Sequence, residues 1–386
     1  MVLAAGHMCV DFCQGAVPAL LPFMIRDRGY SYAAVAALVL ASSIGSSLIQ
    51  PLFGLRSDRT SAPWLMPVGV LVGGIGIGLA GIAPSYALTF AAVLVSGVGV
   101  AAFHPEGARY ANHVSGARRA TGMSYFSLGG NAGFALGPAL VTPLVLLFGL
   151  PGTVFAALLP AAVAAWLLRE LPRIRGFRPR LEPSSHGDRS ASANHWAPFS
   201  RLAGVASLRS IVYFGLQAFV PAWFVTRFAA SEAEGNAALT AMLVAGALGT
   251  LVGGRLADRI GRRAVLAGSM GALVPLLALF VLADQGPATA LLVPIGLFTI
   301  ANFSVTIVMG QEYLPGRLGL ASGITVGLAI GVGGLAAAGL GVVADSVGLE
   351  AVMWTLAALP PVAFLLALTL PRTARVAEPE VMPRRP

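Results

Sequence analysis

Apolar blocks of about 20 residues recur along this chain from its first residues almost to its last, and no other feature constrains the fold as much. A helix of about 20 residues covers the roughly 30 Å of hydrocarbon in a bilayer. The blocks fall at 2–24, 32–54, 64–83, 85–108, 120–148 and 151–170, then at 203–227, 236–255, 263–283, 287–310, 318–342 and 350–371. The pattern predicts an all-α membrane protein with twelve transmembrane helices in two six-helix halves. Leu171 to Arg201, rich in Pro, Ser and Arg and without an apolar period, predicts a flexible cytoplasmic linker. The expected organisation is a bundle over 1–170, the linker over 171–202, a second bundle over 203–371 and a cytoplasmic tail over 372–386.

Hydrophobic residues make up 56% of the chain and charged residues 11%, against about a quarter charged in soluble domains, so the lipid bilayer is the expected solvent. The net charge of +9 would suit a nucleic-acid partner if it formed a surface. It does not: the chain has no Lys, and its Arg residues sit in short loops between apolar blocks, which excludes nucleic acid as a partner. With the N-terminus inside, the inner loops and tail hold 21 Arg, the outer loops hold Arg26, Arg28 and Arg227, and Arg209 falls within the seventh helix. That asymmetry predicts a multi-pass protein of the inner cell membrane with both termini cytoplasmic. Cys9 and Cys13 lie four apart in the first block, as packing residues on one helical face and not as a disulfide framework. The first block carries His7 and Asp11 and no small-residue cleavage site, so it reads as a retained helix.

The halves repeat each other. Gly54 to Arg59, GLRSDR, returns as Gly254 to Arg259, GRLADR, with Asp58 and Asp258 200 residues apart. Val17 to Ala19 returns at Val220 to Ala222, and Gly122, Gly130 and Gly133 are matched 201 residues later by Gly323, Gly331 and Gly334. A duplicated six-helix unit implies a substrate route along the interface between halves.

The segment GRLADRIGRR, Gly254 to Arg263, resembles the loop signature of the major facilitator superfamily, and the copy at Gly54 keeps Asp58 and Arg59 but loses the trailing basic run. The resemblance implies a latch in which Gly54 and Gly254 let helices approach while the Asp pairs with Arg and a neighbouring helix start, with Arg259 and Arg263 contributing. A basic loop that merely obeys topology is the alternative. Gly129, Gly133 and Gly137, followed by Pro138, resemble the antiporter motif of proton-driven facilitators; small residues on one face permit close packing, and Pro138 invites a bend. Gly249 and Gly253, and Gly323, Gly327 and Gly331, show the same spacing. Packing alone also explains such glycines.

Charge inside the membrane is more informative, because it costs about 2.5–3.5 kcal/mol at the bilayer centre even on insertion scales. His7, Asp11, Gln14 and Pro18 share one helical face, which should look into the protein or a wet cavity, where Asp11 could take and release protons. A static hydrogen-bonded Asp is the alternative. FHPEGARY, Phe103 to Tyr110, brings His104, Glu106 and Arg109 together near the inner end of the fourth helix. With His7, Asp11 and the segment Leu314 to Gly323, it is similar to the fosmidomycin-resistance branch of the facilitator superfamily, over essentially the whole chain. That resemblance implies the major facilitator fold and drug/proton antiport of small, fosmidomycin-like anions, with Asp11 and Glu106 as proton carriers, His7 and His104 beside them and Arg109 as a charge partner. Tyr125, Asn131, Tyr213, Gln217 and Asn302 are candidates to line the pathway with Gln14, as are Ser127, Ser304, Thr306 and Glu312, although interhelical hydrogen bonding explains each alone. Arg209 is expected to snorkel to the inner interface.

No phosphate-binding loop with Lys, HExxH, paired Cys ligands or nucleophile elbow occurs, so no enzyme, cofactor or metal is expected. The expected partners are the bilayer, a small-molecule substrate and protons, with the protein a monomer. A metabolite importer or symporter of the same fold, and a non-transporting scaffold or sensor, stand as alternatives.

Overall fold

The computed structural model describes residues 1–50, 52–54, 61–115, 119–176, 194–315, 317, 320–321 and 323–371. Among the described residues, twelve helices are long and apolar enough to cross a membrane: α1 Val2–Arg28, α2 Tyr32–Gly54, α3 Leu65–Ile82, α4 Tyr86–Val114, α5 Tyr125–Phe148, α6 Leu150–Gly176, α7 Trp196–Phe228, α8 Glu232–Ile260, α9 Arg262–Leu282, α10 Gln285–Tyr313, α11 Gly323–Val347 and α12 Leu349–Leu368. Each overlaps one apolar block of the sequence. Most of the larger departures lie at polar ends, where α7 begins at Trp196 and not at 203 because the helix runs on beyond its apolar stretch. The linker segment 177–193 and the tail 372–386 lie outside the described residues.

Local chemistry sets the helix ends. Ser31, Ser85 and Ser231 each accept a hydrogen bond from a backbone N–H of the following turn, and Glu234 completes a capping box with Ser231. Gly29 closes α1 with φ 65° in the left-handed region, and Ala229 closes α7 at φ 52°. Leu71, Ile75 and Leu79 form an exposed apolar stripe on α3, and Leu248, Val252 and Leu256 form another on α8. Such stripes four residues apart face lipid.

The two halves use the same pairings: α1 packs on α5 as α7 packs on α11, α2 on α4 as α8 on α10, and α3 on α6 as α9 on α12. The α1/α5 seam is close. A methyl added at Gly133 would strike the carbonyl of Met8, and one at Gly137 would lie 2.5 Å from Ala16 N. Gly249 and Gly253 bring α8 against Leu297 and Ala301 of α10 in the same manner. Gly323, Gly327 and Gly331 depart from the close packing expected of them, with no atom of the described residues within 4 Å of an added methyl. In α11 that task belongs to Gly334 and Gly341, which meet Ser43 and Ala33 of α2 across the halves.

The halves touch along α2/α11, α5/α8 and α1/α7. Polar contacts between them gather at the face remote from the chain termini. Asp345 of α11 accepts from the N–H groups of Tyr32 and Ala33 at 2.8 and 2.9 Å, capping α2 from the opposite half. Asn236 donates to the Ala19 carbonyl at 3.0 Å and to Thr142 at 2.9 Å, and Arg26 pairs with Glu232 at 2.9 Å.

Candidate functional site

Helical spacing on α1 and α4 brings three titratable side chains together inside the first half. Asp11, 6% exposed, has His7 Nε2 at 3.3 Å from one oxygen and His104 Nε2 at 3.4 Å from the other. These distances suit charge pairing and are longer than a good hydrogen bond. The opposite nitrogens are held firmly, His7 Nδ1 at 2.7 Å from the Phe126 carbonyl and His104 Nδ1 at 2.9 Å from the Val100 carbonyl. A carbonyl can only accept, so both Nδ1 atoms carry the proton and donate, and both Nε2 atoms are aimed at Asp11.

Packing fixes the arrangement. His7 stacks on Phe126 with ring centres 4.1 Å apart and meets His104 edge-on at 5.0 Å. Gly130 of α5 lies directly over the group: an added methyl would stand 2.5 Å from Asp11 Oδ2 and 2.6 Å from His7 Nε2. Phe103, Phe126, Met66 and Val100 belong to the apolar core around it. The donor atoms of His7, Asp11 and His104 lie within 4.8 Å of one another, close enough to share one proton or one small cation.

Glu106, expected beside His104, points away from it because two residues along a helix turn the side chain by about 200°. It is fully buried, accepts from Ala62 N at 2.7 Å at the approach to α3, and has Arg109 at 3.8 Å. The other candidates are scattered. Gln14, Asn131 and Tyr213 are half-buried, Tyr125 is exposed, and Gln217 and Asn302 are buried. Asn302 donates to Ser269 Oγ at 2.8 Å, an interhelical bond of the ordinary kind. Arg209 does not snorkel: it is 3% exposed, with its guanidinium 5.2 Å from the Phe303 ring.

At the repeated loop motif, Asp58 and Arg59 lie outside the described residues. Among the described residues, Gly54 has no atom within 4 Å of an added methyl, and Gly254 has only Ser304 Oγ at 3.9 Å, so neither is seen to bring described helices together. Asp258 and Arg259 are exposed, and Asp258 makes no ion pair among the described residues. The trailing basic run makes the ties instead: Arg262 pairs with Glu312 at the end of α10, and Arg263 donates to the Leu368 carbonyl at the end of α12.

Sequence reasoning missed the two carbonyls that orient the histidines, the role of Gly130, and the cross-half bonds of Asn236 and Asp345. One signal was readable: Gln14 stands three residues before Val17-Pro18-Ala19, and Gln217 three before Val220-Pro221-Ala222, so the repeat extends to a polar position in both halves.

The Major Facilitator Superfamily profile matches residues 3–228 and again 202–385. The uncharacterized MFS-type transporter YfnC of Bacillus subtilis (strain 168) is 32% identical over 387 residues, covering 98% of this chain and 94% of its own. The fosmidomycin resistance protein of Escherichia coli (strain K12) is 30% identical over 376 residues, covering 96% of this chain and 91% of its own. Among solved structures, a bacterial homolog of the human lysosomal transporter Spinster, inward-facing and occupied, superposes with TM-score 0.77 at 15% identity over 95% of each chain. Twelve spans, a duplicated architecture and these relationships agree: the chain is a membrane transporter of the major facilitator superfamily.

Proposed function

We propose that this protein exports small toxic compounds in exchange for protons, its two halves rocking about a site near the bilayer midplane. One observation carries the proposal: a buried carboxylate faced by two imidazoles whose other nitrogens are committed to backbone carbonyls. Any proton gained or lost must therefore move at His7 Nε2, His104 Nε2 or the Asp11 oxygens. With none added the group is an anion facing two lone pairs; one proton makes it neutral and a second makes it a cation. Each step changes the charge inside hydrocarbon by a full unit, and such a step can bias one conformation over another. The 30% identity to a fosmidomycin resistance protein supports a toxic small molecule as cargo.

Around that centre, Glu106 serves as a second proton carrier whose protonation loosens its tie to Ala62 at the approach to α3, with Arg109 as its charge partner. Gln14, Tyr125, Asn131, Tyr213 and Gln217 line the pathway, while Asn302 ties α10 to α9. The Arg asymmetry supports both termini in the cytoplasm, which makes the bonds of Asp345, Asn236 and Arg26 an outer gate. Gly54, Asp58, Arg59, Gly254, Asp258, Arg259 and Arg263 act at the inner gate, and Gly133, Gly137 and Pro138 supply the bend. The protein works as a monomer.

Proteoliposomes with an imposed pH gradient test the reading. Fosmidomycin should accumulate against its own gradient in the direction opposite to proton flow, and Asp11→Asn should abolish that accumulation. Movement of probe and proton in the same direction would favour a metabolite symporter, and full activity of both Asp11→Asn and Glu106→Gln would end the coupling claim.

A further inference from the structure

Asp11 has two imidazoles and Glu106 has a backbone N–H, but one deep charge in the other half is left to itself. Arg209 lies on α7 eight residues, about 12 Å, further along than Arg201, which donates to the Thr369 carbonyl at the end of the bundle. It is 3% exposed, its Nε has no partner, and it makes no hydrogen bond or ion pair among the described residues. The Phe303 face at 5.2 Å offsets only part of what a buried cation loses on leaving water. A chain keeps such a group at lasting expense to its stability, which a counter-charge arriving from outside the fold would offset.

The surroundings fit a visitor arriving between the halves. Tyr213, one turn along, is half-buried. Gln217, a further turn on, is buried with its amide nitrogen unpartnered. In addition, α10 is interrupted at Asn302, and its second segment begins at Phe303, the residue lying over the guanidinium. The start of a helix favours anions through its peptide dipoles, and interrupted membrane helices place such starts at binding sites.

We propose that Arg209 receives an anionic group of the cargo, a phosphonate, phosphate or carboxylate whose paired oxygens match the guanidinium fork. The inference rests on the transport reading and adds to it the residue that selects charge. Uncharged analogues of the same shape would leave the cation buried and unpaired, and are rejected for that reason.

The test is thermal unfolding of the purified full-length protein with propylphosphonate, butyrate or fosmidomycin, and with uncharged dimethyl propylphosphonate as control. At least one anion should raise the wild-type melting temperature by several degrees while the diester does nothing. Arg209→Met should melt at or above the wild type without ligand, because a lone buried charge has gone, and should lose the protection. Arg209→Lys should keep protection at about tenfold weaker affinity, having charge without the fork. The inference is overturned if no anion protects the wild type, if Arg209→Met is still protected, or if Arg209→Met melts lower or fails to fold, which marks a structural arginine. Proton-driven flux of the wild type and Asp11→Asn is read separately in proteoliposomes. Protection through Arg209 without proton-driven flux would remove only the coupling, and proton-driven flux without protection would remove only the anion site.

Discussion

The two halves share one fold and carry opposite chemistry. In the first, an acid on α1 is met by a histidine on the same helix and another on α4. In the second, the corresponding helices α7 and α10 hold a lone Arg209 beneath Phe303. Aligning the starts of α4 and α10, Tyr86 and Gln285, sets Phe303 opposite His104; aligning the Val-Pro-Ala triplets sets Gln217 opposite Gln14 and Phe214 opposite Asp11. Duplication thus preserved the helix pairings, while the charged positions and the contacts of the matched glycines diverged. A transporter with one titrating face and one cationic face can treat protons and cargo as separate ligands that meet across a moving interface.

The sharpest way to break this division of labour is a pair of variants that should fail in different assays. A gradient of one pH unit is worth about 1.4 kcal/mol, so one coupled proton supports about tenfold accumulation of probe. Asp11→Asn should reduce that ratio to one in proteoliposomes. Arg209→Met should abolish anion-dependent flux, while the purified protein in detergent still binds protons at the His7, Asp11 and His104 group, read with a pH-sensitive dye. Should both variants lose both properties equally, the halves would not be separable and the comparison would collapse.

Next in size is a test of the glycines matched by the repeat. Gly130 packs on Asp11 and His7, whereas Gly331, 201 residues later, has no atom of the described residues within 4 Å of an added methyl. Overpacking typically costs about 1–3 kcal/mol, so Gly130→Val should lower the melting temperature and disturb coupling, and Gly331→Val should do neither. Equal losses at the two positions would show that both halves pack their fifth helices alike.

The scaffold was legible because a bilayer leaves so little choice: apolar length marked out the twelve spans. Helical spacing placed His7 beside Asp11, and the segment around His104 pointed to the third member. The finer geometry was hidden because it depends on how helices rotate against one another. Glu106 and His104 are two residues apart, and only the packing of α4 shows that they face different neighbours. Arg209 looked like a snorkelling side chain because sequence gives depth along a helix and not the direction in which a side chain leaves it. The cross-half bonds of Asp345 and Asn236 join residues 313 and 217 positions from their partners, beyond any local pattern.

The two faces of the protein offer a smaller test. At the face remote from the termini, Asp345 caps α2 from the opposite half, while at the other face the Asp258 carboxylate stands without an ion pair among the described residues. Loss of a capping side chain costs about 1 kcal/mol, enough to move a two-state equilibrium roughly fivefold. Asp345→Ala should therefore raise the reactivity of a cysteine introduced near Ala33 toward a membrane-impermeant thiol reagent by about that factor. Asp258→Ala should leave it unchanged in this conformation. An unaltered labelling rate in Asp345→Ala would mean that the apolar α2/α11 seam alone holds the halves together.

The smallest expected effect lies where the first helix of each half ends. Gly29 and Ala229 both adopt left-handed backbone, φ 65° and 52°, and only the second carries a side chain there. A β-carbon in that region costs about 1–2 kcal/mol, while replacing Ala by Gly gives back about 0.4–1 kcal/mol through a more flexible unfolded chain. Ala229→Gly should thus raise stability slightly, by about 1 kcal/mol at most, and Gly29→Ala should lower it by a similar amount. Melting both variants in one detergent measures the difference directly. If Ala229→Gly destabilises, the αL residue is held by contacts of its methyl group, and the two helix ends, alike in backbone, are stabilised by different means.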